Sequence, residues 1–175
     1  MARTDTLTRK RARRTKSAAG KGVQAITWPV KTSPTWFVRL FSMHAAERVE
    51  VAKRGVPAVS ISHLAKATGE PKEHVIALLG LSRATVDRKA RANQALSVVE
   101  SERVMGLAKL VGQAQAMVNE SGDPVGFDAA KWVAGWLERP MPALDGRTPG
   151  EYMDTAEGQQ IVAGLLERAR SGTFA

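Results

Sequence analysis

Apolar residues in this chain recur at the spacing of an α-helix, in short segments that end at glycine or proline. Ile61, Leu64 and Ala65 form one such segment, which Gly69 ends. Residues three and four apart share one face of a helix, whereas a strand would need strict alternation. Because no pair of alternating segments is joined by a hairpin turn, the pattern predicts an all-α fold of short helices.

Ser33 and Pro34 mark the start of the first helix, since these residue types favour the N-cap and the first turn. Apolar positions continue at helical spacing to Gly55, where a helix would end, although residues 36–41 would also suit a short strand. Further helices are predicted at about 96–118, 127–137 and 156–170, with Thr155 as the last N-cap and with Val99 and Ile161 among the inward-facing residues.

The net charge of +9 is distributed unevenly along the 175 residues. Residues 1–22 hold eight Lys or Arg and one Asp, whereas residues 120–175 hold nine acidic and five basic residues. A basic start and a basic middle of the chain predict a polyanionic partner. Residues 1–32 show almost no apolar periodicity and are predicted to be a disordered basic tail, which is either simply solvated or an arm that binds phosphates.

Several classes of function have no support in the sequence. The absence of cysteine excludes disulfides and thiolate metal sites and fits a cytoplasmic protein, and no apolar segment approaches the roughly 20 residues that span a bilayer, so no membrane partner is expected. The three histidines, His44, His63 and His74, are not at metal-ligand spacing, and there is no glycine-rich phosphate loop or nucleophile elbow. We therefore predict no metal, no cofactor and no catalytic residue, so that the protein is not an enzyme.

Residues 73–89 are predicted to form a helix-turn-helix. Gly80 supplies the backbone freedom that a tight turn between two helices needs. Leu79, Leu81 and Val86 would then hold the second helix against the first. This packing frees the opposite face of the second helix for a partner.

That face, on residues 82–91, would lie in the major groove of DNA. Arg83 and Thr85 are in the first turn, where base edges are reached, and the later basic side chains would meet phosphates. A helical hairpin with a solvated basic face is the alternative, and Ile76 stands where repressor-like helix-turn-helices usually hold alanine, which leaves DNA binding open. The predicted DNA-binding residues are Ser82, Arg83, Thr85, Arg88, Lys89 and Arg91.

A proline-rich connection follows the predicted helix 127–137. Pro140, Pro142 and Pro149 stiffen it, so a loop that docks on a partner would lose less conformational entropy. Side chains suited to anchoring an interface lie around it, with burial in the core as the alternative for the two tryptophans: Trp132, Trp136 and Tyr152.

The segment from Trp136 to Gly158 resembles the toxin-binding domain of the Xre/MbcA/ParS antitoxin family, whose pattern is like W-L-x-x-P-x-P-A-L-G-G-x-T-P-x-E-L-L-x-T-x-E-G, with an ending like G-x-F/Y-A. The chain departs from it with Asp145 for the first glycine, Gly150 for an apolar residue and Tyr152-Met153 for a leucine pair. Because the helix-turn-helix part also resembles the family, the likeness covers about residues 44–175 and leaves residues 1–43 without an assigned role.

The resemblance implies an antitoxin that binds a RES-domain toxin, an enzyme that consumes NAD, and blocks the toxin's active site with its own C-terminal end. It also implies a repressor of its own operon, in which an Xre-like helix-turn-helix bundle at 33–119 binds operator DNA and a small helical domain at 120–175 binds the toxin. Such a protein would act as a homodimer within a hetero-oligomeric toxin–antitoxin complex. The alternative is a stand-alone helix-turn-helix transcription regulator whose C-terminal domain serves dimerisation.

The residues that the resemblance implies for toxin binding lie in two groups. One group surrounds the prolines, and the other closes the chain, where the apolar Phe174 suits insertion into a partner, with tail disorder as the alternative. The full set is Trp136, Pro142, Leu144, Arg147, Tyr152, Arg168, Gly172, Thr173, Phe174 and Ala175.

Overall fold

The computed structural model describes residue 28, residues 33–122 and residues 124–170, apart from the side chain of Arg170. These residues form eight α-helices and two 3₁₀ helices, with no strand and one isolated β-bridge between Pro57 and Ala95. The prediction of an all-α fold is confirmed. The α-helices are α1 (Pro34–Ser42), α2 (Ala45–Arg54), α3 (Ser60–Thr68), α4 (Lys72–Leu78), α5 (Arg83–Arg91), α6 (Val98–Ser121), α7 (Ala129–Leu137) and α8 (Ala156–Arg170), and the 3₁₀ helices are Pro142–Leu144 and Pro149–Tyr152.

The segment that was predicted to run helically from Ser33 to Gly55 is two helices. Ser33 caps α1, since its hydroxyl accepts a hydrogen bond of 3.2 Å from the amide of Trp36. The helix then ends at Met43, which has an extended backbone. The side chain of Arg48 donates hydrogen bonds to the carbonyls of Phe41 and Met43, so it satisfies acceptors that the end of α1 leaves free. This contact between α1 and α2 explains a break at which no proline or glycine stands.

The 24-residue helix α6 is the centre of the fold, and α1, α2, α7 and α8 all pack on it. Gly112 allows α1 to cross closely, because a Cβ there would lie 2.0 Å from the carbonyl oxygen of Phe37. Val104, Leu107 and Ala108 of α6 are fully buried. Val99, which was predicted to face inward, is 57 % exposed, so this prediction is wrong; it stands nine residues before Ala108, which places it on the opposite side of the helix from that buried residue.

The last helix confirms its predicted cap and corrects one core assignment. The hydroxyl of Thr155 accepts a hydrogen bond of 3.0 Å from the amide of Gly158 at the start of α8. Val162 and Leu166 face the core, but Ile161 is 41 % exposed and so was wrongly placed among the inward-facing residues.

One hydrophobic core joins the two halves of the chain. It includes Val86 of α5 and Val162 of α8, and the predicted boundary between residues 119 and 120 falls inside α6. Trp28 also belongs to this core, with its ring 4.5 Å from that of Trp36 in an edge-on arrangement. Trp28 stands within the segment predicted as a tail, and the rest of residues 1–32 lies outside the described residues.

Candidate functional site

The predicted helix-turn-helix is present as α4, a tight turn and α5. Gly80 has a backbone φ of 57°, in the left-handed region that favours glycine, and the amide of Leu81 donates a hydrogen bond of 2.9 Å to the carbonyl of Ile76. Leu79 and Val86 are fully buried and hold the two helices together. Ile76, the bulky residue at the position where alanine was expected, is also buried, so the turn forms with the larger side chain in the core.

The outer side of α5, with the cap residue before it, will be called the recognition face; it carries the predicted DNA-binding residues. Ser82 caps α5 by accepting a hydrogen bond of 3.4 Å from the amide of Thr85. Ser82 is exposed, Thr85 is half-buried, and the exposed cations are Arg83, Arg88 and Arg91.

Lys89, one of the predicted DNA-binding residues, forms an ion pair with a residue of another helix. Its ammonium lies 2.7 Å from the carboxylate of Glu100 at the start of α6, and the two side chains are only 16 % and 18 % exposed. Arg83 also pairs with acidic groups, at 3.2 Å from Glu73 and 3.8 Å from Asp87, but its side chain is 67 % exposed. Exposed ion pairs are weak and exchange readily, so Arg83 is available to a partner and Lys89 is much less so.

Two carboxyl groups beside the recognition face have lowered pKa values. The ammonium of Lys72, 2.6 Å from Asp87, holds the pKa of Asp87 below its usual value. Burial alone would raise the pKa of Glu100, but hydrogen bonds from Lys89 and Ser97 outweigh that effect and lower it. Both carboxylates therefore stay charged near neutral pH and act as structural counter-ions, Asp87 for Lys72 and Glu100 for Lys89.

The C-terminal part carries a row of aromatic side chains that runs from the surface into the core. Trp136 of α7 is buried and stacks on Trp132, with ring centroids 6.1 Å apart and an interplanar angle of 10°. Trp132 is 37 % exposed and also contacts Phe127. Trp136 is therefore placed in the core, whereas Trp132 presents a partly exposed face, and an interface role for either tryptophan stays a prediction.

The proline-rich connection after α7 is a compact loop closed by backbone hydrogen bonds. The amide of Met141 donates to the carbonyl of Arg147 across 2.9 Å, and Asp145 has a φ of 54° where the family pattern has glycine. Aspartate tolerates the left-handed region better than most residues, which explains why this departure leaves the turn intact. Leu144 is buried beneath the loop.

Three of the predicted toxin-binding residues lie around this loop and will be called the rim: Pro142, Arg147 and Tyr152. Pro142 and Arg147 are exposed, and Tyr152 is half-buried against the core. Of the other predicted positions, Arg168 is exposed on α8, Trp136 and Leu144 are buried, and Gly172, Thr173, Phe174 and Ala175 lie outside the described residues.

The part of the chain that carries the rim packs directly on the helix-turn-helix. The sequence did not predict this contact, which will be called the junction. A Cβ on Gly80 would lie 2.8 Å from the Cβ of Asp154, and a Cβ on Gly150 would lie 3.2 Å from a methyl group of Leu78. The guanidinium of Arg103, on α6, donates a hydrogen bond of 2.8 Å to the carbonyl of Gly80 and so joins the same turn to the central helix. The glycine at position 150, where the family pattern has an apolar residue, therefore permits close packing between the two regions.

A polar contact supports the same junction. The imidazole of His74 in α4 lies 3.1 Å from the carboxylate of Glu138 at the end of α7. Among the described residues, no group of three or more His, Cys, Asp or Glu is placed to hold a metal ion. No described helix is long and apolar enough to cross a membrane.

Comparison with known proteins identifies two families that the chain resembles. A family model described as an antitoxin Xre-like helix-turn-helix domain matches residues 47–109, and one described as the antitoxin Xre/MbcA/ParS C-terminal toxin-binding domain matches residues 113–172. The chain is also similar to a protein named "Prs ADP-ribosylating antitoxin" from Sphingobium sp. (strain YBL2). The two are 41 % identical over 160 residues, which cover 91 % of this chain and 95 % of that protein.

Proposed function

The chain belongs to the Xre/MbcA/ParS family of antitoxins, and on that premise we propose that the toxin it binds is a RES-domain enzyme that consumes NAD. As an antitoxin it has a regulatory role and is not an enzyme. The match of the toxin-binding domain over residues 113–172 carries the proposal. The name of the Sphingobium relative adds support, because ADP-ribosylation uses NAD as the donor of ADP-ribose.

In this proposal the rim provides the contact surface and the end of the chain blocks the toxin's active site. Pro142 and Arg147 are exposed on a loop that backbone hydrogen bonds hold in one conformation, so little entropy is lost when the loop docks. Leu144 and Trp136, which are buried, act by supporting the rim and not by direct contact. Arg168 begins the segment 168–175 that enters the toxin.

The rim is tested by co-expressing the tagged antitoxin with the product of the neighbouring gene, which the proposal expects to be a RES-domain protein. We expect the two to co-purify, and we expect Arg147→Glu to weaken their affinity at least tenfold, since the change reverses a charge on the rim. Arg39→Glu, a matched change at an exposed position of α1, should leave the affinity within twofold of the wild type. If the two variants bind the toxin with equal affinity, the rim is not part of the interface.

We further propose that the protein represses its own operon as a homodimer that binds operator DNA through the recognition face. The exposed arginines Arg83, Arg88 and Arg91 support this role, and Arg83 is placed in the first turn of α5, where a recognition helix reaches base edges. Since NAD and operator DNA are both found in the cytoplasm, the proposal places the protein there.

Substitution of Arg83 tests this DNA-binding proposal. Arg83→Ala should cost about 1–3 kcal/mol at the operator, because a base contact is lost, and much less on random DNA. Electrophoretic mobility shifts on both DNAs measure the difference, with Arg39→Ala as the matched control. Equal losses on the two DNAs would show that Arg83 contacts only phosphate.

A further inference from the structure

A pocket of about 370 Å³ lies between α2, α6 and α8. None of its lining residues belongs to the recognition face or to the rim. Its wall is largely apolar, with contributions from Val49, Met105 and Leu110. Its volume falls in the range of about 300–1,000 Å³ that is usual for small-molecule sites. The pocket is therefore large enough for a ligand that neither proposed function uses.

Two cations line this pocket, Arg48 of α2 and Lys109 of α6. Lys109 is half-buried, and within the part of the chain that the structure describes its ammonium has no carboxylate at ion-pair distance. Arg48 donates to the backbone carbonyls at the end of α1, which are uncharged. Glu102 is the acidic residue in the lining, and it is exposed. The lining thus has two cations against one solvated carboxylate.

The environment of Lys109 shows that the pocket lacks a compensating negative charge. Burial lowers the pKa of Lys109, and the nearby charge of Arg48 lowers it further. An ammonium that is partly removed from water beside a like charge is costly unless an anion compensates for it. A ligand with a negative group would supply that counter-charge, and the apolar wall would receive the rest of its surface.

We propose that this pocket binds a small organic anion with an apolar body, such as a carboxylate or sulfonate attached to rings or to an alkyl chain. The anionic group pairs with Lys109 and Arg48, and the apolar body packs against Val49, Met105 and Leu110. Binding is non-covalent and requires neither the toxin nor DNA. A failure of the proposed toxin or operator binding therefore leaves this proposal standing, and the reverse also holds.

The position of the pocket gives the ligand contact with both parts of the protein. Arg48 and Lys109 lie in the segment matched by the helix-turn-helix family model. Gln159 and Ala163 of α8, also in the lining, lie in the segment matched by the toxin-binding model. Gln159 additionally donates hydrogen bonds to the carbonyls of Arg103 and Met153, so the pocket wall is connected to the junction between the two regions.

The test uses the fluorescent probe 8-anilinonaphthalene-1-sulfonate, which has an apolar ring system and one sulfonate. Its neutral counterpart, N-phenyl-1-naphthylamine, lacks the sulfonate and reports the apolar contribution alone. Titration of the full chain with each probe, together with calorimetry for stoichiometry, measures binding. We expect one sulfonate probe per chain, bound at least tenfold more tightly than the neutral probe.

Two variants and their matched controls locate the probe. Lys109→Met keeps the length of the side chain and removes its charge, and it should weaken the sulfonate probe at least tenfold while leaving the neutral probe within twofold. Lys53→Met, on the exposed side of α2, should change neither. Ala163→Leu should fill the pocket and abolish binding of both probes, whereas Ala46→Leu, exposed on α2 and outside the lining, should not.

Two outcomes would overturn the proposal. If Lys109→Met behaves like Lys53→Met, or Ala163→Leu like Ala46→Leu, the probe binds elsewhere and the pocket is not an anion site. If the purified toxin displaces the probe and Lys109→Met weakens toxin affinity at least tenfold, the pocket receives an acidic side chain of the toxin instead of a small molecule.

Discussion

Lys109 shows how a single residue can work against the stability of its own fold. Its ammonium is partly buried beside Arg48, and its pKa is lowered, chiefly by burial and then by that neighbouring charge. A lowered pKa of a basic group means that the folded state favours the neutral form. The charged form therefore destabilises the fold below the folded-state pKa, and this penalty is relieved as the pH rises through that value towards the ordinary 10.5.

Replacing Lys109 by methionine should stabilise the protein at neutral pH, since it removes the desolvated charge and keeps the apolar stem. We expect the melting temperature to rise by about 2–4 °C, the shift that about 1 kcal/mol produces in a chain of this length. Thermal unfolding followed by circular dichroism measures it, with Lys53→Met as the control that should not shift. A lower melting temperature for Lys109→Met would mean that the charge is compensated in the fold.

Caps and turns are the residue-scale features that the sequence predicted best. Ser33 and Thr155 cap the helices assigned to them, because the hydrogen bond of a cap is made within three residues. Gly80 likewise adopts the backbone conformation that its turn requires. The exposure of Val99 was not predictable in this way, since it depends on how α6 is rotated against four other helices.

At the scale of elements, the ion pair between Lys89 and Glu100 holds α5 against α6. Glu100 also accepts a hydrogen bond of 2.7 Å from the amide of Ser97, so one carboxylate both caps α6 and holds α5. The sequence pattern of α5 placed Lys89 among the outward basic residues. Its partner stands 11 positions later on another helix, and no local signal links the two residues.

Lys89→Met should therefore lower the free energy of unfolding. The loss of its partner leaves the carboxylate of Glu100 partly buried and unpaired, at an expected cost of about 1–2 kcal/mol, below the range for fully buried pairs. Urea unfolding measures this difference, and Arg88→Met, an exposed neighbour on α5, is the control that should cost little.

The stabilisation that this ion pair contributes depends on pH. The pKa of Glu100 is lowered in the folded state, so its stabilising contribution is present above its ordinary value of 4.5 and is lost as the pH falls through the folded-state value. The stability difference between the wild type and Lys89→Met should therefore vanish in acid. A difference that persists unchanged below the pKa would assign the effect of Lys89 to packing.

The break between α1 and α2 shows the limit of helical periodicity as a predictor. Apolar spacing continues through Met43 and His44, and neither residue type stops a helix. The chain turns there because Arg48 satisfies the carbonyls at the end of α1 and because α1 packs closely on Gly112 of α6. Apolar spacing carries no information about the hydrogen bonds of Arg48, and Gly112 lies on a distant helix, so the apolar pattern of α1 and α2 could not predict the break.

At the scale of the whole molecule, the two proposed functional surfaces, the recognition face and the rim, are parts of one packed body. The helix-turn-helix contacts the segment that carries the rim through the close approach of Gly80 to Asp154 and of Leu78 to Gly150. Sequence motifs predicted each surface separately. Their contact was not predictable because it joins residues more than 70 positions apart whose side chains carry no pairing signal.

Substitution of two glycines measures this contact. Gly80 and Gly146 both have a positive φ, so alanine is strained at either position, but a Cβ meets Asp154 at 2.8 Å only at Gly80 and meets nothing within 4 Å at Gly146. Gly80→Ala should therefore destabilise the protein by about 1–3 kcal/mol more than Gly146→Ala, the usual cost of overpacking. Urea unfolding measures the free energy of unfolding of both variants. Equal losses of stability would show that the junction accommodates the added Cβ without cost.

The central claim is that this antitoxin silences an NAD-consuming toxin with the end of its own chain. The most direct test measures NAD consumption by the purified RES-domain toxin as the antitoxin is titrated in. We predict that the full chain stops NAD consumption at a stoichiometric amount, whereas a variant that lacks residues 171–175 still binds the toxin but leaves most of its activity. Complete inhibition by the shortened variant, or an active toxin in the presence of excess full chain, would contradict the claim.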